Sequence, residues 1–220
     1  DAARIGGRKP IMLTFNGKAA LTLSVDIAPN YVEGLIAYVD GKVLYEAENK
    51  GIKVSAENAL SHITELVEKL MQHAEETPHG IIGLCVAIHG LVDQEEIVFT
   101  PNYTLQSDLK VQLEDVYPFY VHLENEANLA ALGEYTFGSS SDSVVSLSIH
   151  TGIGAGIVEN GKLRTGKTGK AGEIGHSILY PDGRKCPCGN EGCLEQYASH
   201  QAIYSELEQM LALSGINSSL

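Results

Sequence analysis

Alternating apolar and polar positions near the start of the chain predict three consecutive strands. Their sequences are LTLSVDIA, YVEGLIAYV and KVLYEAE, and Asp40-Gly41 before the third has the residues of a hairpin turn. The same layout returns as VVSLSIH, GAGIVE and KLR, with Asn160-Gly161 as the turn. Two such strand–turn–strand units predict an internal duplication. Each unit would then be the base of one lobe, with a cleft between the two lobes.

The segments between and after these units show helix and strand periodicities in turn. Apolar residues recur at helical spacing over residues 56–74, and the run IIGLCVAIHG is typical of a strand that is buried on both faces. A further strand over residues 119–123 leads into a helix over residues 126–137, and residues 202–213 form an amphipathic helix. The pattern therefore predicts an α/β fold.

Three of the four cysteines lie within eight residues, at Cys186, Cys188 and Cys193, and His176 lies ten positions upstream of the first. Three thiolates and one imidazole are a usual ligand set for a tetrahedral structural zinc ion. Free thiols or a disulfide are the alternatives, but a disulfide leaves one of the three cysteines unpaired. Four protein ligands leave no open position on the metal, so we expect a structural role for it.

The same loop carries two carboxylates, Glu173 and Glu195, in addition to the imidazole of His176. If zinc holds the loop, these three groups arrive at nearly the same place. Rigidly presented carboxylate and imidazole groups suit the hydroxyls of a small polyhydroxylated ligand. The alternative is that both glutamates lie on a solvated face.

Composition narrows the class of protein further. Hydrophobic residues make up 44% of the chain and charged residues 20%, as in a globular protein with a substantial core. No apolar run approaches membrane-spanning length, and a signal-peptide pattern is absent from the first residues. Reduced, metal-bound cysteines indicate the cytoplasm. The net charge of −13 argues against this segment binding a nucleic-acid backbone by itself.

The motif GEIGH followed by CxCGxxGCLE resembles the signature of the ROK family of repressors, open reading frames and sugar kinases. The resemblance implies an actin-like (ribonuclease H-like), duplicated α/β fold of two lobes, with a sugar-binding cleft between them and the zinc loop in the larger lobe. It also implies that His176 is both a zinc ligand and a sugar contact, and that Glu173 and Glu195 contact the sugar.

Two further segments resemble sugar-binding motifs of this family. IHGLVD follows the family layout, with His89 where proline is usual, and Asn102 in the loop beyond it is implied as a sugar ligand. Bonding to its own backbone in an Asx turn is the alternative for Asn102. ENEAN places Asn125 and Glu126 where the family has ENDAN, whose aspartate is the kinase general base. The glutamate stands one methylene farther out, and ENEAN resembles the version in xylose-type repressors.

The phosphate-binding loops of the family are only partly preserved. The first, usually DxGGT, reads Asp26-Ile27-Ala28-Pro29-Asn30, so glycines are missing and the proline removes an N–H donor. The second, HTGIGAG, retains Thr151, Gly152 and Gly154, but glycines also serve tight turns in any fold. In a kinase, ATP and Mg²⁺ would bind at these loops, with Mg²⁺ at Asp26. We favour Asp26 as a strand-end residue without a metal.

The expected organisation has three parts. Residues 1–18 are a linker from a DNA-binding domain, residues 19–124 the smaller lobe, and residues 125–220 the larger lobe, which is incomplete because family members continue well past the CLExxAS helix. GGRKPIMLTFN resembles the end of the winged-helix domain of ROK repressors, although a flexible basic arm is the alternative.

The motifs together predict the sugar-sensing effector domain of a dimeric ROK-type repressor with a structural Zn²⁺. Its partners would be a monosaccharide, which the sequence does not identify, and DNA, bound through the winged-helix domain. An ATP-dependent sugar kinase with Glu126 as general base is the alternative. A sugar-binding relic without DNA or nucleotide partners is a third possibility.

Overall fold

The computed structural model describes residues 12–138 and 141–214. Of the segment predicted as a linker, residues 1–18, residues 1–11 lie outside them. The strands are β1 (Leu21–Ala28), β2 (Tyr31–Tyr38), β3 (Val43–Lys50), β4 (Ile81–Ile88), β5 (Leu91–Asp93), β6 (Glu96–Phe99), β7 (Tyr120–Asn125), β8 (Ser143–Ile149), β9 (Ile153–Glu159) and β10 (Lys162–Leu163). The α-helices are α1 (Ala59–Met71), α2 (Leu109–Val116), α3 (Glu126–Gly133), α4 (Glu195–Ala198) and α5 (His200–Ser214).

The first sheet has five strands in the order β3-β2-β1-β4-β7. Strand β1 pairs antiparallel with β2 on one side and parallel with β4 on the other, and β4 pairs parallel with β7. Because side chains alternate along a strand, Leu21, Leu23, Val25 and Ile27 all leave β1 on one face, where they are fully or almost fully buried. Helices α1 and α2 contribute to the same hydrophobic core.

The second sheet has three antiparallel strands in the order β10-β9-β8, and helix α3 packs against it. Gly156 in β9 allows this close approach, because a Cβ there would lie 2.0 Å from the backbone oxygen of Ala127. Among the described residues no strand pairs with the outer edge of β8. Val145 and Leu147 on that strand are 63% and 59% exposed.

The two sheets confirm the predicted α/β class and show the repeated strand–turn–strand layout. The second sheet matches β1, β2 and β3 of the first. Counterparts of β4 and β7 are absent from it over the described ranges, 12–138 and 141–214. Asn160 and Gly161 both have positive φ angles, of 51° and 73°, in the turn predicted for the second unit.

The expectation that β4 is buried on both faces is wrong. Leu84, Val86 and Ile88 are buried on the face that α1 and α2 cover, whereas Gly83, Cys85 and Ala87, which alternate with them, are only partly buried. Cys85 on that second face lines a cavity of about 760 Å³ between the sheet and α3, so this face is packed less closely than the first.

All three predicted helices differ in length from the structure, and α1 covers only Ala59–Met71 of the predicted residues 56–74. Helix α3 ends at Gly133, and a π-helical turn, Glu134–Gly138, continues the segment that was predicted as one helix. Helix α5 is two residues longer at its start than predicted, and most of its side chains are exposed. No helix within the described parts of the chain is both long and apolar enough to cross a membrane.

Candidate functional site

A cavity of about 800 Å³ lies between the two sheets. Its wall includes the β1–β2 turn, the connection from β4 to β5, the residues after β6, the start of α3, the β8–β9 turn, the cysteine-rich loop and the start of α5. All the residues predicted to contact sugar line it, namely Asn102, Asn125, Glu126, Glu173, His176 and Glu195. Thr151, Gly152 and Gly154 of the second glycine-rich loop line it too, whereas Asp26 does not.

The side chains of His176, Cys186, Cys188 and Cys193 converge beside this cavity, and their candidate ligand atoms all lie within 4.8 Å of one another. The Sγ atoms of Cys188 and Cys193 are 3.7 Å apart, and Cys186 Sγ is 3.6 Å from Nδ1 of His176. A tetrahedron with zinc–sulfur bonds of about 2.3 Å places its sulfurs about 3.8 Å apart. A disulfide would need about 2.05 Å. The four residues therefore fit a tetrahedral zinc ion, which would serve to hold the loop.

Glycines shape the cysteine-rich loop where other residues would not fit. Gly189 and Gly192 have φ angles of 95° and 78°. A Cβ on Gly192 would lie 1.6 Å from the backbone oxygen of Tyr180, and the oxygen of Gly192 accepts a bond of 2.8 Å from the amide of Leu179. The loop therefore folds back on itself closely enough for the sulfurs to meet.

The GEIGH segment reaches the cavity because it packs directly against β9. The amide of Ala155 donates to the oxygen of Gly172 at 2.8 Å, and Gly172 has a φ of 92°. A Cβ on Gly175 would lie 2.1 Å from the oxygen of Ile153. This contact places Glu173 and His176, in and beside the 3₁₀ turn Ile174–His176, at the cavity wall.

The imidazole of His176 lies between the metal cluster and the cavity carboxylates. Its Nδ1 faces Cys186 and is 3.6 Å from Oε1 of Glu195, while its Nε2 is 3.5 Å from Oε2 of Glu173. Burial raises the pKa of Glu173, and the charge of Glu195 adds to that effect, while His176 opposes it. A carboxylate on the second nitrogen of a metal-binding histidine fixes the ring's orientation.

Asn125 and Glu126 mark the junction of β7 and α3, and both have protein partners. Oδ1 of Asn125 accepts a bond of 3.1 Å from the amide of Asn128 and so caps the helix. Nδ2 of Asn125 donates to the backbone oxygen of Gly90 at 2.8 Å. Glu126 accepts a 2.6 Å bond from the hydroxyl of Ser148 on β8. The junction therefore ties the first sheet to the second at the cavity.

Several cavity residues were missed by the sequence reasoning. Ser148, His150, Lys170 and His200 all line the cavity. The rings of His150 and His200 are perpendicular with centroids 6.0 Å apart, and the amide of His200 donates to the oxygen of His150 at 2.9 Å. Lys170 lies three residues before Glu173, and this proximity in sequence is the signal that could have identified it.

The structure places Asp26 behind two cavity residues that the sequence reasoning did not connect with it. Its carboxylate oxygens bond His89 and Tyr31, both of which line the cavity. On the opposite wall, a Cβ added to Gly152 would lie 2.9 Å from Oε2 of Glu195, so the second glycine-rich turn lies directly against that carboxylate.

Comparison with known proteins agrees with this architecture. A sequence model described as the ROK family matches residues 22–218. The xylose repressor of Bacillus subtilis (strain 168) is 36% identical over 207 residues, which cover 92% of this chain and 54% of that protein. A ROK family glucokinase from Streptomyces griseus, solved in complex with glucose and AMPPNP, has a TM-score of 0.78 and 32% identity over 89% of this chain and 62% of that one. A ROK family transcriptional regulator, a homologue of the Escherichia coli MLC protein, has a TM-score of 0.76 and 28% identity over 93% and 53% of the two chains.

Both structural neighbours have the actin-like, two-lobed fold, and the predicted fold is therefore confirmed. The chain belongs to the ROK family, as the GEIGH and cysteine motifs indicated. It spans about half the length of the curated relatives that it matches.

Proposed function

We propose that this chain is the sugar-sensing effector region of a ROK-family transcriptional regulator, and that it binds a monosaccharide in the cavity between its two sheets. One observation carries the proposal: six polar residues from distant parts of the sequence line a single cavity of about 800 Å³. A cavity of that size with a few convergent polar groups suits a small ligand.

The roles of the residues follow from their chemistry. Glu173 and Glu195 accept hydrogen bonds from sugar hydroxyls, and His176, whose Nε2 is 3.5 Å from Oε2 of Glu173, lines the same cavity. Asn102 offers an amide to the same ligand. Glu126 remains a hydrogen-bond acceptor, held in place by Ser148.

Zinc is the proposed metal of the cluster formed by His176, Cys186, Cys188 and Cys193. Its chemistry when bound is structural, because four protein ligands leave no position for substrate. By fixing the loop, these residues keep Glu173 and Glu195 at the cavity wall. The metal would therefore support ligand binding without contacting the ligand.

D-xylose is the ligand that we propose, on the basis of the xylose repressors among the relatives and of the ENEAN motif. The sugar would favour one arrangement of the two lobes and so alter DNA binding by another part of a cytoplasmic, dimeric protein. Only a ligand with different affinities for the two arrangements has this effect. We propose that the two lobes divide at residue 125, beside the β7–α3 junction.

Thermal melting of the zinc-loaded chain with a panel of monosaccharides tests this proposal. D-xylose is expected to raise the melting temperature in a concentration-dependent way, because it binds only the folded state. Glu173→Gln should weaken that response, whereas Glu208→Gln on the exposed surface of α5 is the matched control. An absent response to every sugar, or equal responses in both variants, would contradict the proposal.

A sugar kinase is the second candidate, favoured by the similarity to the glucokinase solved with glucose and AMPPNP and by the position of Glu126 at the cavity. Glu126 would then take the proton of the attacking sugar hydroxyl. A coupled ADP-release assay with hexoses and pentoses separates the candidates. Turnover that disappears in Glu126→Gln would favour the kinase.

A further inference from the structure

Both carboxylate oxygens of Asp26 are engaged by neighbouring side chains. Oδ1 lies 2.8 Å from Nε2 of His89, and Oδ2 accepts a bond of 3.1 Å from the hydroxyl of Tyr31. The hydroxyl of Tyr31 is also 3.3 Å from Nε2 of His89, so the three side chains form one closed cluster. It joins the ends of β1 and β4 to the first residue of β2.

The three side chains of the cluster lie at different distances from the cavity. His89 and Tyr31 line the cavity, whereas Asp26 lies behind them. His89 is fixed from the other side, because its amide donates to the hydroxyl of Tyr103 at 3.2 Å and that hydroxyl donates to the oxygen of Ile27 at 2.8 Å. The imidazole and the phenol therefore separate the carboxylate from any ligand in the cavity.

The charges favour a protonated imidazole in this cluster. Burial alone would lower the pKa of His89, but the hydrogen bond and negative charge of Asp26, with smaller effects from Glu126 and Glu33, outweigh burial and raise it. Burial and the charge of Asp26 raise the pKa of Tyr31, which keeps the phenol protonated as a donor. His89 thus supplies the positive charge beside Asp26.

The resemblance to nucleotide-binding members of this fold implies a Mg²⁺-nucleotide site beside Asp26. The residues around Asp26 do not fit such a ligand. Mg²⁺ binds through free carboxylate oxygens, ordered waters and substrate phosphates. Both oxygens of Asp26 are already hydrogen-bonded, one to His89 and the other to Tyr31. The two-residue turn between β1 and β2 contains Pro29, which lacks an N–H, and its backbone oxygen accepts a bond of 3.0 Å from Val54. A phosphate-binding loop instead offers several free backbone N–H groups.

We propose that His89 and Tyr31 close this corner of the cavity, with the His89 imidazole in place of a metal cation beside Asp26, so that the site accepts a monosaccharide but excludes a Mg²⁺-nucleotide. The inference rests on the proposed function in that the same cavity still binds sugar. His89 and Tyr31 then act as determinants of ligand class.

Mn²⁺ with AMPPNP is the probe, and bound Mn²⁺ is measured by electron paramagnetic resonance on the zinc-loaded chain. The wild type is expected to show no nucleotide-linked Mn²⁺ binding that depends on Asp26. The double variant His89→Ala/Tyr31→Phe frees both oxygens and should bind Mn²⁺ at least about tenfold more tightly than the wild type. Adding Asp26→Asn should remove that gain.

A control exists at the β7 edge of the first sheet. Oε1 of Glu95 is bonded by Tyr120 and His122 while Oε2 pairs with Lys110, so His122→Ala/Tyr120→Phe frees one oxygen of a carboxylate that does not line the cavity. This control should gain no nucleotide-linked Mn²⁺ binding. If the first double variant fails to fold, Tyr31→Phe alone frees Oδ2 and should give a smaller gain.

Two results would overturn the inference: wild-type binding of Mn²⁺–AMPPNP that Asp26→Asn abolishes, or a folded double variant without any gain. The response to D-xylose is measured in parallel. If D-xylose does not bind while the double variant gains Mn²⁺ as expected, the proposed sugar sensing fails and the closed corner is supported.

Discussion

Replacing Asn125 with alanine tests whether the β7–α3 junction is held by that side chain. The substitution removes the cap on the amide of Asn128, which typically costs about 1 kcal/mol. It also removes the donor to the oxygen of Gly90, a hydrogen bond that contributes about 1 kcal/mol. The expected loss in the free energy of unfolding is therefore about 2 kcal/mol. For a chain of this size that loss lowers the melting temperature by about 4–8 °C.

Asn125→Asp is the matched variant, because its carboxylate still accepts from Asn128 but cannot donate to Gly90. We expect it to lose less stability than the alanine variant, with the difference set by the cap. Circular dichroism melts of the zinc-loaded chain measure both. A melting temperature of Asn125→Ala within about 1 °C of wild type would refute the reasoning.

The same two variants also test whether Asn125 contributes to sugar binding. Since one N–H of Asn125 is used by Gly90, its remaining capacity to bind a ligand is limited. Sugar affinity measured well below the melting temperature should fall in both variants if the junction positions the cavity. Unchanged affinity in both would confine Asn125 to a structural role.

Three further predictions concern other parts of the structure. In Cys188→Ser, bound zinc measured by mass spectrometry is expected to fall well below one ion per chain, and retention of stoichiometric zinc would contradict the ligand set. Gly172→Ala should cost at least about 2 kcal/mol in urea unfolding, because its φ is 92° and its Cβ would meet a β9 backbone oxygen at 1.8 Å, whereas Gly133→Ala, with open space, should cost nothing. Asp26 raises the pKa of His89 in the folded state, so the His89–Asp26 pair stabilises the fold fully below the unfolded-state pKa of about 6.5. This stabilisation is lost as the pH rises from that value through the folded-state pKa. Over that pH range, wild type should therefore lose stability relative to His89→Gln. Parallel pH profiles would count against this pair.

Local signals were sufficient for much of the fold. The hairpin turn at Asn160-Gly161 was predicted because those residues tolerate positive φ, and both adopt it. The metal cluster was predicted because its ligands are close in sequence, and the structure brings them within 4.8 Å.

The β5–β6 turn shows what local signals cannot reveal. Gln94 and Glu95 both have positive φ angles, of 50° and 65°, without a glycine. Burial alone would raise the pKa of Glu95, but hydrogen bonds from Lys110, Tyr120 and His122 lower it to about 2. Long-range contacts therefore determine this turn, and a single sequence carries no sign of them.

The cluster at Asp26 was missed for a similar reason. His89 stood out in the sequence as an unusual residue, but its partner lies 63 positions away, and only the parallel pairing of β1 and β4 brings them together. Cavity residues such as Ser148 and His200 likewise become neighbours through tertiary structure. Motifs identified the groups, whereas packing determined which atoms they bond.

The outer edge of β8 is a site where the second sheet can be extended. Along the described part of the chain, its backbone groups have no partner strand, and Val145 and Leu147 beside it are exposed. Such an edge is a template onto which another extended segment can add by main-chain hydrogen bonds. In the first sheet the equivalent edge, that of β1, pairs with β4, so the edge of β8 is the position at which an added strand would extend the second sheet.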